Sequence, residues 1–175
     1  GNLSFAEANN QIPFEIKRTY WIYDVPGGIA RGGHAEINNE ELIIAMSGSF
    51  EILVDDGTRQ KTYTLNRSYY GLYIPKGLWR EIKDFSTNAL ALEFGSIEYD
   101  VDDYIRDYQS FLHFSKAPVY NSRCSSTLNE SFTPLTSKYS VFDCTMLELD
   151  RHDSDRKGCL TVVENGKTLP FHVKR

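Results

Sequence analysis

The sequence has few cysteines, no long apolar run and no cluster of basic residues. Three cysteines in 175 residues, without a C-x-x-C spacing, indicate free thiols in a reducing compartment. No apolar stretch approaches the roughly 18 residues that span a bilayer, and no signal-peptide pattern is visible. A net charge of −5 without a Lys/Arg cluster argues against a nucleic-acid-binding face. We therefore expect a cytoplasmic protein that binds neither membranes nor nucleic acid.

What the chain does have is aromatic residues and many short strand patterns. It contains 11 Tyr, 10 Phe and 2 Trp. Runs of β-branched and aromatic residues recur between residues 14 and 94, separated by turn signals such as Asp55-Asp56-Gly57. No helical period lies between them, so we predict an all-β fold, an antiparallel sandwich or barrel.

The pattern changes at Tyr99. Asp102 or Asp103 can cap a helix, and four apolar residues then fall on one stripe. These are Tyr104, Tyr108, Phe111 and Leu112. We predict one helix at this end of the domain, packed on the outside of the barrel.

The stretch from Gly28 to Gly48 holds the candidate chemistry. His34 and Glu36 are two residues apart, so on a strand both side chains point to the same face. Glu41 would be aimed at the same pocket from the next strand. A histidine followed by a glutamate on a strand is also common at a solvated edge, so the spacing alone leaves both interpretations open.

An internal repeat links the two ends of the chain. Residues 1–18 align without a gap to residues 158–175, with identical Gly, Leu, Glu, Pro, Phe, Lys and Arg. This predicts tandem copies of one domain in the natural polypeptide. We expect a first domain at 1–114, a Ser/Thr/Asn/Pro-rich linker at 115–138, and the opening strands of a second copy at 139–175.

The repeat also predicts an open sheet edge. The first copy would lack its own leading strand, whose equivalent in the second copy is Tyr139–Asp150. Unpaired edges take up available strands. We expect the tail to supply that strand, either to its own barrel or, by strand exchange, to a neighbouring chain.

Several stretches, taken in order, resemble a known family. They are IPFEIKRTYWIYDVPGG, ARGGHAE, the strand pair closing at VDDG, GLYIPKGLW and VDDYIRDYQSF. Together they resemble the WxcM-like cupins that act as 3,4-ketoisomerases of dTDP-4-keto-6-deoxyglucose. The resemblance implies a cupin jelly-roll barrel, a homodimer that sometimes exchanges its first strand, and a site without metal or other cofactor. It implies proton transfer through an enediol, moving a sugar carbonyl from C4 to C3.

The resemblance also assigns residues. It matches His34, Arg31 and Tyr20 to family positions in the pocket region. We expect proton transfer by His34, Glu36 and Tyr20, and contacts to a dTDP-linked keto sugar by Arg31, Arg18, Arg80, Trp79 and Tyr73. The expected cavity has the shape of a hexose joined to thymidine diphosphate. Tyr73 could stack on a ring or simply fill the core.

Two departures from the family pattern leave alternatives open. Glu36 stands where the family has a second histidine, and Arg80 where it often has histidine. Glu36 could be a base if burial raises its pKa, or it could pair with Arg80 as a structural ion pair. A cation at Arg80 argues against a metal held by His34, Glu36 and Glu41. The function is accordingly a sugar-nucleotide isomerase or, alternatively, a tandem-protein domain that binds the sugar nucleotide and has lost the chemistry.

Overall fold

The computed structural model describes residues 2–117 and 138–153. Its elements are β1 (Asn2–Phe5), β2 (Arg18–Ile22), β3 (Arg31–Glu36), β4 (Glu41–Ser47), β5 (Phe50–Asp55), β6 (Gln60–Leu65), β7 (Tyr70–Ile74), β8 (Trp79–Lys83), β9 (Leu90–Gly95), a 3-10 turn (Val101–Asp103), β10 (Tyr104–Ile105), α1 (Tyr108–Lys116), β11 (Thr145–Glu148) and β12 (Asp150–Asp153).

Two five-stranded antiparallel sheets form the body of the domain. Their strand orders are β10-β3-β8-β5-β6 and β11-β7-β4-β9-β2. Alternate side chains of both sheets meet in one apolar core, which includes Ile43, Phe50, Ile52, Leu72 and Ile82. Because side chains alternate along each strand, this core needs apolar residues only at every second position. The predicted all-β jelly-roll with a single helix is confirmed.

A second apolar cluster covers the outer face of the β4-containing sheet. Leu42 and Ile44 point outward between the inward Ile43 and Ala45, and the segment around Ile12 and Phe14 packs over them. The extended segment before β2 therefore covers the outer face of this sheet. The sequence predicted a strand from Phe14, but the ladder begins only at Arg18. Phe14 fills the outer cluster instead of pairing in the sheet.

The tail residues supply a strand to this same chain. β11 pairs antiparallel with β7, with Thr145 opposite Tyr73 and Glu148 opposite Tyr70. Val141 and Cys144 join the interior core, and β12 pairs with β1. In this structure the tail strand thus pairs with the β7 edge of its own chain, and strand exchange with a neighbouring chain stays a prediction. Residues 154–175 of the expected second copy and most of the linker lie outside the described residues.

The helix begins later than predicted. Tyr104 lies in β10 opposite Glu36, and α1 starts at Tyr108 after Asp107, whose carboxylate accepts a hydrogen bond from the Ser110 amide at 2.7 Å. Tyr104 and Ile105 favour a strand, and the edge of β3 offers them a partner, so the ladder overrides the helical spacing. In the part of the chain that the structure describes, no helix is long and apolar enough to cross a membrane.

Candidate functional site

A bulge in β3 aims His34 into the interior. The ladder between β3 and β8 shifts register between Gly32 and His34, and Gly32 has φ +82°. A Cβ on Gly32 would lie 3.0 Å from the Arg80 carbonyl oxygen and 3.3 Å from Arg80 Nη1. Only glycine combines this backbone conformation with such close approach to β8. The glycine pair before His34 therefore brings its ring against the Arg80 guanidinium.

His34 is buried and neutral. Only 8% of the His34 surface is exposed. Arg80 Nη1 lies 2.8 Å from His34 Nε2, and the centres of the His34 and Tyr104 rings are 4.8 Å apart. Burial and the Arg80 charge lower the pKa of His34 to about 4. Because a guanidinium can only donate, Nε2 is the acceptor and the proton of the neutral ring sits on Nδ1. Nδ1 is buried and has no hydrogen-bond partner of standard geometry among the described residues.

Glu36 is ionised. Its Oε1 accepts from Arg18 Nη2 at 2.9 Å, its Oε2 accepts from Asn39 Nδ2 at 2.7 Å, and Arg80 Nη2 lies at 3.9 Å. Burial would raise the pKa of Glu36, but the Arg80 charge and the hydrogen bonds to the carboxylate lower it to about 2. A carboxylate with so low a pKa is a weak base. The closest ionic partner of Glu36 is Arg18 and not Arg80.

Arg80 lies at the centre of a buried polar cluster that also contains His34, Glu36, Tyr20 and Glu41. It binds Glu41 through two hydrogen bonds. Its Nε and Nη2 donate to the two carboxylate oxygens of Glu41, and Tyr20 OH donates to Oε1 at 2.6 Å. Arg80 Nη2 also lies 3.1 Å from Tyr20 OH. Burial and the neighbouring Glu41 raise the pKa of Tyr20 far above its usual value, so the phenol keeps its proton. Tyr20 can act as an acid or a hydrogen-bond donor, but not as a resting base.

Glu93 completes the cluster and was missed by the sequence analysis. It is fully buried on β9, contacts Arg80 Nη2 at 3.4 Å, and its Oε1 has no partner among the described residues. Burial raises the pKa of both Glu41 and Glu93. The two hydrogen bonds from Arg80 favour the ionised form of Glu41. We therefore assign one proton to the pair of carboxyl groups and place it on Glu93. With that proton, two guanidiniums face two carboxylates and the buried cluster is neutral.

Aromatic and basic side chains form a rim above the cluster. Tyr104 OH accepts from Arg18 Nη1 at 2.9 Å, and burial raises the pKa of Tyr104 to about 12. The Arg106 guanidinium lies 4.4 Å from the Tyr104 ring centre, and the exposed Tyr99 ring lies at 5.7 Å. The helical spacing of Tyr104 and Tyr108 in the sequence hid the place of Tyr104 beside Arg18 and His34. A run of Tyr and Arg that alternates with acidic residues was the available signal.

The predicted site residues do not all meet. Tyr20, Arg18 and Arg80 join His34 and Glu36, whereas Arg31 lies at the exposed start of β3. Two predicted binding residues, Trp79 and Tyr73, face away from this cluster, and their roles in binding stay predictions. Trp79 alternates with Arg80 on β8, so its ring points outward, 5.1 Å from Tyr108 and 5.6 Å from Phe111. Tyr73 lies on the outer face of β7, against Phe14, with its hydroxyl donating to Glu40 at 2.6 Å.

The space inside the cluster is small. The cavity beside Glu36, Asn39, Glu41 and Arg80 has a volume of about 10 Å³, enough for about one water molecule. The expectation that a hexose-sized cavity lies among these groups is therefore corrected. Packed ion pairs fill the interior behind His34, so the rim side is the side from which a ligand can approach. Across residues 2–117 and 138–153, no three acidic, His or Cys side chains are arranged to hold a metal ion.

The comparisons with known proteins agree with this fold. A family model described as "FdtA: WxcM-like, C-terminal" matches residues 1–116. TDP-4-oxo-6-deoxy-alpha-D-glucose-3,4-oxoisomerase of Aneurinibacillus thermoaerophilus is 39% identical over 111 residues, which are 63% of this chain and 80% of that protein.

Solved structures of ketoisomerases are similar too. A 3,4-ketoisomerase from Helicobacter canadensis is 43% identical, with a TM-score of 0.63 over 65% of this chain and 85% of that one. A mutant of the ketoisomerase QdtA from Thermoanaerobacterium thermosaccharolyticum, in complex with TDP-4-keto-6-deoxyglucose, is 35% identical, with a TM-score of 0.64 over 65% of this chain and 83% of that one. The family match covers well over half of the sequence, and the chain belongs to the WxcM-like FdtA family.

Proposed function

We propose that this protein is a TDP-sugar 3,4-ketoisomerase that acts on a TDP-linked 4-keto-6-deoxyhexose. A base removes the proton on C3, the electron pair forms the C3–C4 double bond, and the former C4 carbonyl oxygen takes the negative charge. The proton of the C3 hydroxyl passes to the C4 oxygen, a proton is delivered to C4, and the C3 oxygen becomes the new carbonyl while C4 carries the hydroxyl. The sum is an isomerisation without gain or loss of atoms or electrons.

The observation that carries this proposal is the state of His34. A base must be unprotonated and held in place, and His34 is neutral, buried, and fixed between the Arg80 guanidinium and the Tyr104 ring. It also lies below a rim of Tyr and Arg side chains that suits an anionic, ring-containing ligand. We assign His34 as the proton shuttle.

Arg80 would change partners when substrate binds. In the structure its Nη1 occupies Nε2, the nitrogen that would accept the C3 proton. A keto oxygen placed beside Arg80 would take over this hydrogen bond, since a polarised carbonyl turning into an enediolate is a stronger acceptor than imidazole. The exchange frees Nε2 as the base and leaves Arg80 to stabilise the developing negative charge. Substrate binding and base activation would thereby be one event.

The other assigned residues take supporting roles in the proposal. Glu36 is committed to Arg18 and Asn39, so we assign it to holding the Arg18 guanidinium at the rim, where it can bind phosphate. Tyr20 keeps its proton and touches both Glu41 and Arg80, so we assign it as the donor that reprotonates the sugar or steadies its oxygen. Structures of the relative QdtA are complexes with TDP and, for a mutant, with TDP-4-keto-6-deoxyglucose.

We also propose that the protein works as a homodimer, in a reducing compartment such as the cytoplasm. β2 ends its sheet, and beside it Trp21 and Tyr23 are 58% and 60% exposed, next to Met46. Exposed aromatic residues at a sheet end favour a protein interface. Cys144 is an unpaired thiol, as such a compartment permits. Light scattering of the wild type and of Trp21→Glu tests the dimer; a monomeric wild type would contradict it.

The decisive experiment follows hydrogen exchange at the sugar. The protein is incubated with TDP-4-keto-6-deoxyglucose in D₂O, and proton NMR should show a 3-keto product with deuterium incorporated at the sugar ring. His34→Asn should abolish exchange while TDP binding stays within about twofold of the wild-type affinity, because asparagine keeps polarity without a basic nitrogen. His113→Asn, at an exposed position on α1, is the matched control and should behave as wild type. Sugar-nucleotide binding by the wild type without any exchange would overturn the isomerase and favour a binding domain.

A further inference from the structure

Asp103 is a buried acid whose carboxylate, among the described residues, accepts hydrogen bonds only from the turn between β3 and β4. Its Oδ1 accepts from the amide and the side-chain nitrogen of Asn38, both at 2.9 Å, and its Oδ2 accepts from the Asn39 amide at 3.2 Å. Its carbonyl oxygen accepts from the Ile37 amide at 2.9 Å. Within the described residues no basic side chain pairs with it. One residue thus satisfies four donors of a single turn.

That turn holds Glu36. Asn39 Nδ2 donates to Glu36 Oε2 at 2.7 Å, while Asn39 Oδ1 accepts from the Ile97 amide at 3.2 Å. The Asn39 side chain is therefore fixed at both ends, and its backbone is fixed by Asp103. Loosening the turn would release one of the two oxygens by which Glu36 is held.

The residue after Asp103 reaches the other side of the site. Tyr104 lies opposite Glu36 in the β10–β3 ladder, its ring packs 4.8 Å from the His34 ring, and its hydroxyl accepts from Arg18 at 2.9 Å. β10 is only two residues long, so its place in the sheet depends on the hydrogen bonds that precede it. Those are the bonds of Asp103.

We propose that Asp103 is a positioning residue for the isomerase reaction. It ties the β3–β4 turn to β10 and so holds Asn39 against Glu36 and Tyr104 against His34. Its effect on turnover rests on the proposed function, but its effect on the geometry of His34 does not. Small displacements of positioned groups lower reaction rates by large factors. Loosening the hydrogen bonds of Asp103 should therefore lower kcat by a larger factor than it lowers the affinity for substrate.

The test compares Asp103→Asn with Asp102→Asn. Both lie in the same 3-10 turn and lose the same charge, but Asp102 is exposed. In Asp103→Asn one carboxylate oxygen is replaced by an NH₂ group, which cannot accept a hydrogen bond from the N–H donors of the turn. We expect kcat with TDP-4-keto-6-deoxyglucose to fall about 10- to 100-fold, measured well below the melting temperature, with KM and TDP affinity within about twofold. Asp102→Asn should match the wild type.

A double variant and an NMR measurement complete the test. The loss in Asp103→Asn combined with Asn39→Ala should be smaller than the sum of the two single losses, because part of the effect of Asp103 passes through the Asn39 contact with Glu36. The His34 ring protons, shifted by the Tyr104 ring, should move towards their free-histidine positions in Asp103→Asn and stay in place in Asp102→Asn. Wild-type kcat and unmoved His34 signals in Asp103→Asn, or strictly additive losses in the double variant, would overturn the proposal. An inactive wild type would sink the proposed function, whereas the NMR comparison would still decide the role of Asp103.

Discussion

Arg80 Nη1 donates a hydrogen bond to His34 Nε2 across 2.8 Å, so the candidate base lies directly beside a permanent cation. Burial and this cation together hold the pKa of His34 near 4, well below the usual imidazole value. A histidine normally loses base function in mildly acidic solution. Here the neutral form persists to far lower pH, which is the first property that an activity profile can check.

We predict that kcat/KM stays nearly flat between pH 5.5 and 8. An ordinary imidazole would lose about tenfold of its neutral form at pH 5.5. In Arg80→Gln the His34 pKa should rise, and a ¹³C-detected titration of the ring measures that rise directly. Arg59→Gln, at an exposed position, should leave the titration unchanged. A wild-type acid limb near pH 6.5 would contradict the assigned environment.

Removing Arg80 should also unfold the protein more easily. Arg80→Met leaves Glu41 buried without its two-point partner, and breaking a buried pair in this way costs about 3–5 kcal/mol. Urea denaturation should show this loss. Adding Glu41→Leu to Arg80→Met should recover part of it, because no unpaired charge then remains at that position. A double variant less stable than Arg80→Met would show that the unpaired charge of Glu41 is not the cause of the lost stability.

The proton placed on Glu93 predicts a pH dependence of stability. A carboxyl whose pKa is raised by burial keeps a proton in the folded state that the unfolded chain has lost. Its contribution to stability is complete below the ordinary carboxyl pKa and is lost as the pH rises towards the folded-state pKa. The loss approaches about 1.4 kcal/mol per pH unit in that window. Glu93→Gln mimics the protonated form and should remove this decline.

The measurement is thermal or urea unfolding of the wild type and Glu93→Gln from pH 4.5 to 7. The wild type should lose stability relative to the variant as the pH rises. Glu51→Gln, on a more exposed strand position, controls for the removal of one negative charge. Parallel curves for the wild type and Glu93→Gln would show that Glu93 is ionised throughout.

The sequence could reach the sheets and the shared face of His34 and Glu36, because both follow from alternation. Side chains two residues apart share a face, so a motif with His34 and Glu36 on one strand predicts that they point the same way. The same rule, applied to β8, would have separated Trp79 from Arg80. The sequence analysis grouped the two residues through the resemblance, and their neighbouring numbers concealed that they face opposite sides of the sheet.

Other features depend on contacts between residues far apart in the chain. Tyr104 is spaced from Tyr108 like one turn of helix, yet it pairs with Glu36, some 70 residues earlier. The balance of charge in the cluster brings together Arg18, Glu36, Glu41, Arg80 and Glu93 from five strands. Local pattern cannot count those charges, so the ionised state of Glu36 was left open. A single carboxylate within the apolar run of β9 was the only local sign of Glu93.

The tail strand offers a last prediction, on stability. Leu149 is 5% exposed in the outer cluster, just after β11, whereas Met146 lies within β11 and is 41% exposed. If the tail is an integral part of the domain, Leu149→Ala should destabilise it by about 2–5 kcal/mol through lost burial and a residual cavity. Met146→Ala, the matched control from the exposed side of the same strand, should change stability by at most about 0.5 kcal/mol.

Chemical denaturation distinguishes this from a tail that belongs elsewhere. A single transition, shifted as a whole by Leu149→Ala, means that β11 and the barrel unfold together. Equal and negligible effects of Leu149→Ala and Met146→Ala would mean that β11 does not stabilise its own barrel. An effect of Leu149→Ala that grows with protein dilution would indicate that the strand is exchanged between chains, because only an intermolecular contact depends on concentration.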